Sequence, residues 1–104
     1  MTKHYHKLVR DKIPQIIEES GKTCKTRILS REEYCKMLDE KLEEELAEYQ
    51  ESKSLEELAD LLEVMAAVVE ARGYTWQELT RIREEKREAR GGFREQILLE
   101  EVQD

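Results

Sequence analysis

Three times along this chain a hydroxyl residue is followed, three positions on, by a glutamate and then by an apolar run. The pairs are Ser30 with Glu33, Ser54 with Glu57, and Thr75 with Glu78. A Ser or Thr at a helix N-cap accepts a hydrogen bond from the third backbone N–H, and a Glu at that third position reaches back to the cap. Such starts at 30, 54 and 75 divide most of the chain into three helices. One Pro and four Gly in 104 residues leave little material for the turns of an all-β fold.

The apolar spacing agrees. Tyr34, Met37, Leu38, Leu42, Leu46 and Tyr49 recur at helical intervals and predict a helix over roughly 31–51. Leu55, Leu58, Leu61, Leu62, Met65, Val68 and Val69 continue to Arg72, where Gly73 stops the pattern. That second helix is apolar on most of its circumference and is expected at the centre. The third is highly charged after Ile82 and ends at Gly91-Gly92. Ahead of all three, Pro14 suits a first helical turn with Asp11 as its cap, and Gly21 closes it. Lys25–Leu29 reads as extended, and Gln96–Val102 could pair with it as a short two-stranded ribbon. The expectation is one all-α domain over 1–104, a helical bundle completed by oligomerisation.

A formal net charge of −7 disfavours non-specific binding to nucleic acid or to an anionic membrane. No apolar run reaches the ~18 residues of a membrane span. Cys24 and Cys35 form no CxxC pair and read as reduced thiols. With no apolar signal segment at the N-terminus, a cytoplasmic location is expected.

Two acid pairs carry the chemistry. Glu45 and Glu48 are three apart, as are Glu57 and Asp60 on the next helix. A three-residue step puts both side chains on one helix face. The short break at Ser52–Ser54 makes the two helices antiparallel neighbours, so the pairs could face each other. Glu45 and Asp60 lie close to apolar stripes, where converging carboxylates repel and favour a divalent cation. All-oxygen ligands select Mg²⁺, with Mn²⁺ as a substitute. The competing interpretation is that most Glu-x-x-Glu steps are solvated faces. Glu43, Glu44, Glu51 and Glu56 read that way.

Two basic clusters offer phosphate ligands: Lys7, Arg10 and Lys12 near the N-terminus, and Lys86 and Arg90 on the third long helix. Arg83 and Arg87 read instead as partners of nearby glutamates. His4 and His6 read as free surface residues, and Tyr74 and Trp76 as packing residues. No Walker loop or G-x-S-x-G is present.

The stretch Tyr5-His6-Lys7-Leu8-Val9-Arg10-Asp11-Lys12-Ile13-Pro14 resembles the "YNKLVRDKIP" opening of a family of small phosphoribosyl-ATP pyrophosphohydrolase-like proteins. These belong to the all-α nucleotide pyrophosphatase superfamily, with the MazG-like proteins and dimeric dUTPases. Thr26–Leu29, Glu57–Val64 and Lys86–Phe93 are similar as well. The resemblance implies a helical bundle of MazG-like type, homodimeric or homotetrameric. It also implies an ExxE…ExxD site for Mg²⁺ at Glu45, Glu48, Glu57 and Asp60. The implied activity is cleavage of a nucleoside triphosphate between its α and β phosphates, giving a monophosphate and pyrophosphate. Two features depart from the pattern: His6 stands for the usual Asn, and only eight residues separate Glu48 from Glu57. The short gap leaves Glu44 as an alternative ligand.

The expected mechanism has Glu48 orienting or deprotonating water while Lys7, Arg10, Lys86 and Arg90 hold pyrophosphate. Two alternatives stand beside it. One is hydrolysis of phosphoribosyl-ATP; the other is a non-catalytic helical interaction module, suggested by the very apolar second long helix.

Overall fold

The computed structural model describes residues 1–104 as four helices joined by irregular segments. They are α1 (Ile13–Glu19), α2 (Arg31–Ser52), α3 (Leu55–Ala71) and α4 (Trp76–Arg90). The three long helices start where the hydroxyl–glutamate pairs place them. Ser30, Ser54 and Thr75 each accept a hydrogen bond from the backbone N–H three residues on, and Thr75 with Glu78 completes a full capping box. The short helix differs: its N-cap is Lys12, with no side-chain cap, rather than Asp11. Pro14, which needs no N–H partner in the first turn, stands at its start instead.

α2 and α3 form an antiparallel hairpin. Lys53 makes the turn with a left-handed φ of 56°, its ammonium 5.5 Å from the centre of the Tyr49 ring. At the far end Arg72 pairs with Asp39 at 2.7 Å, and Arg31 donates to the Ala71 carbonyl. α3 is the central helix, packing on α2 along its length and touching α4 near their junction. Neither α1 nor α4 packs on α2.

The ribbon does not form. Neither 25–29 nor 96–102 is a strand, and no backbone hydrogen bond joins them. Two short strands need a packed face to be stable. Here Ile28, Ile97, Leu98 and Leu99 are all exposed, with no helix beneath them. The apolar faces of the long helices are also largely uncovered. Leu38 is the one buried hydrophobic residue, and Leu46, Leu58, Leu62 and Met65 remain part-exposed. No helix is long and apolar enough to cross a membrane. Cys24 and Cys35 are free thiols.

Candidate metal centre

The hairpin decides which acids meet. Because α2 and α3 run antiparallel from a turn at Lys53, positions at similar distances from that turn lie side by side. Glu45 on α2 thereby comes to Glu57 and Asp60 on α3, with one carboxylate oxygen of each within 4.8 Å of the others. A second trio, Glu44, Glu45 and Glu48, lies on α2 alone within the same span. Glu45 belongs to both. Glu48 is exposed and within hydrogen-bonding reach of Glu45.

Glu45 differs from the other acids in burial. Its side chain is only 9% exposed, and its Oε2 has no hydrogen-bond partner. Oε2 of Glu57 is likewise buried and unpartnered. Burial, reinforced by the neighbouring Glu48 carboxyl, pushes the Glu45 carboxyl above its ordinary range; Lys41 opposes this. Lys41 Nζ lies 3.4 Å from Glu45 and 3.5 Å from Glu44.

The N-terminal segment supplies two cations to these acids. Arg10 Nη2 donates to Asp60 Oδ1 at 2.6 Å, and Lys7 Nζ lies 3.5 Å from Glu44. His6, Lys7 and Leu8 form one wall of a cleft whose other wall is Met37, Glu40, Lys41 and Glu44 of α2. Lys12 lies two residues beyond Arg10 and makes no ion pair. Lys86 and Arg90 project from the exposed part of α4 and are also unpaired. The chain therefore brings Lys7 and Arg10 to the acids and leaves Lys86 and Arg90 on a helix that does not touch α2. Of the α4 cations proposed as partners of nearby glutamates, neither Arg83 nor Arg87 forms an ion pair; Arg81 does, with Glu85 at 3.7 Å.

The donor set suits a hard cation. Oxygens around one octahedral Mg²⁺ lie at most about 4.2 Å apart, twice the metal–oxygen distance. The trio of Glu45, Glu57 and Asp60 is gathered to nearly that span before any side chain rotates. Two of its oxygens are buried without partners, a situation that costs free energy until something positive meets them. Glu44, which the sequence leaves open as either a solvated acid or an alternative ligand, is engaged by Lys7 and Lys41. What the sequence did not reveal is that Lys41, one turn before Glu45, pairs with both of these acids.

No known protein-family profile matches the chain, and no solved structure matches it. A relative from Mycolicibacterium smegmatis, described as an uncharacterized protein, is 56% identical over 41 residues. The match spans 39% of this chain and 42% of the relative's length.

Proposed function

We propose that the chain is a Mg²⁺-dependent nucleotide pyrophosphohydrolase of the MazG-like kind, which cleaves a nucleoside triphosphate between the α and β phosphates. The observation that carries this reading is the pair of buried, unpartnered oxygens on Glu45 and Glu57, beside Asp60. Glu45, Glu57 and Asp60 would hold the ion, with Mn²⁺ as a substitute. When bound, the ion supplies Lewis acidity toward phosphoryl oxygens and makes water a better nucleophile. Glu48, exposed and outside the trio shared with α3, is the carboxylate left to take a proton from the attacking water. Lys7 and Arg10, already beside the acids, supply cationic donors for the leaving pyrophosphate. Lys12, Lys86 and Arg90 are the further phosphate donors, the last two reaching an acid cluster when copies associate as a homodimer or homotetramer.

The test is pyrophosphate release from a panel of nucleotides, phosphoribosyl-ATP included, with and without Mg²⁺. Release is expected only with the metal and is expected to be lost in Asp60→Asn. No release from any nucleotide, or release unchanged in that variant, overturns the proposal. The identity of the monophosphate product separates general triphosphate cleavage from hydrolysis of phosphoribosyl-ATP.

One observation favours a second reading. The outer face of α3 is open, with Leu62 about half-exposed, as in a helical module that binds other proteins. A melting temperature raised by Mg²⁺ supports the metal site, because a ligand of the native state alone stabilises it. A melting temperature that responds to protein concentration and not to Mg²⁺ supports the module.

A further inference from the structure

Asp60 already has a partner. Its Oδ1 accepts from Arg10 at 2.6 Å, the shortest ion pair in the chain, made across 50 residues of sequence. Arg10 reaches it from a segment with no regular secondary structure, residues 1–10. Lys7 of the same segment lies against Glu44. Asp60 and Glu44 are thus met by cations of this one segment. The two oxygens with no partner, on Glu45 and Glu57, are the buried ones, and the Glu45 side chain is nine-tenths buried.

We propose that Arg10 holds the place of a cation on Asp60 and is exchanged for it. A divalent ion that takes Glu45, Glu57 and Asp60 displaces the guanidinium, which then turns to an anionic phosphate group. The exchange presupposes the metal site proposed above and adds a coupling to it. The Arg10–Asp60 pair is half-exposed on both sides, so it is weak enough to yield. A guanidinium fork fits phosphate as well as it fits carboxylate, so Arg10 loses one partner and gains an equivalent one. Because the same pair opens for both ligands, each binds more tightly in the presence of the other. Lys41 has a different role. It is largely covered, with a side chain 17% exposed, and sits on the same helix as Glu44 and Glu45. It remains as a resident positive charge on that side of the cluster.

The experiment titrates Mn²⁺ alone into the full chain and follows the free-ion electron paramagnetic resonance signal. Arg10→Gln is expected to bind Mn²⁺ about two- to fivefold more tightly than the wild type, the range an exposed ion pair is worth. Arg10→Lys and Lys3→Gln are expected to stay near the wild-type value, the first because the charge survives and the second because Lys3 has no partner among the acids. Equal affinity of wild type and Arg10→Gln overturns the exchange and leaves the metal site standing. Lys3→Gln tightening as much as Arg10→Gln does the same. If neither the wild type nor Arg10→Gln binds Mn²⁺, the metal site falls, and the exchange with it.

Discussion

Glu45 is the residue on which the two acid trios converge, and its titration reports on both. Burial and the neighbouring Glu48 raise its folded pKa above the unfolded value. The native state therefore binds the proton more tightly than the unfolded chain does. Without metal, the stability that this gives is fully present below the unfolded carboxylate pKa of about 4.3 and declines as pH rises toward the raised native value. The expected signature is a difference between wild type and Glu45→Gln. In chelator-treated protein, the wild-type melting temperature should fall relative to the variant as pH rises through that window, then run parallel to it. A wild type that gains on the variant over the same window would contradict the burial of this carboxyl. With Mg²⁺ added at neutral pH the order reverses: the wild type should be stabilised and Glu45→Gln should not.

At the level of elements, the caps carry consequences that differ from helix to helix. Replacing Ser30 or Thr75 by Ala removes the hydrogen bond to Glu33 or Glu78 N–H and should cost about 1 kcal/mol of stability. Ser54→Ala should cost a similar amount, but Ser54 also holds the backbone of Glu57, a carboxylate of the proposed metal site, at 3.3 Å. Denaturant melts with and without Mg²⁺ separate the two effects. All three variants should lose stability, and only Ser54→Ala should also lose part of the gain from Mg²⁺. An equal Mg²⁺ gain in all three would show that the cap does not position Glu57. These same caps made the helices legible. The hydroxyl–glutamate pairs act within one turn, so local sequence was enough to place the starts of α2, α3 and α4. The antiparallel hairpin followed from the short turn, and with it the meeting of Glu45 with Glu57 and Asp60. What local sequence could not carry was contact between distant segments. Arg10 meets Asp60 across 50 residues, and Lys7 turns Glu44 from an apparent surface acid into a paired one. The ribbon failed for the converse reason. Its two strands had suitable residues, but no helix face lay beneath them.

The whole molecule is too open for a chain of its size. A compact domain of 12.4 kDa exposes about 6,100 Å², and one of 104 residues has a radius of gyration of about 13 Å. This chain exposes 10180 Å² and has a radius of gyration of 18.6 Å, with a longest extent of 64 Å. Large apolar residues are among those exposed. Leu55, Leu58, Leu62 and Met65 recur along α3 at intervals of three and four, the spacing of a helix–helix seam, and none of them is buried. Ile97, Leu98 and Leu99 of the tail are also uncovered. Exposed apolar residues at this spacing suit a helix–helix interface, and the proposed oligomer is one way to cover them. An obligate dimer buries upward of about 2,000 Å², well within the excess. The second copy is therefore expected to seat on α3. Sedimentation should show a dimer or tetramer, and Leu62→Glu, which alters a half-exposed side chain and leaves the hairpin core intact, should shift it toward monomer. Such a shift should lower stability as well, because a protomer with so little of its own core depends on its partner. A wild-type chain that sediments as a monomer at all concentrations, with a scattering radius near 18.6 Å, would mean that the α3 face stays open in solution.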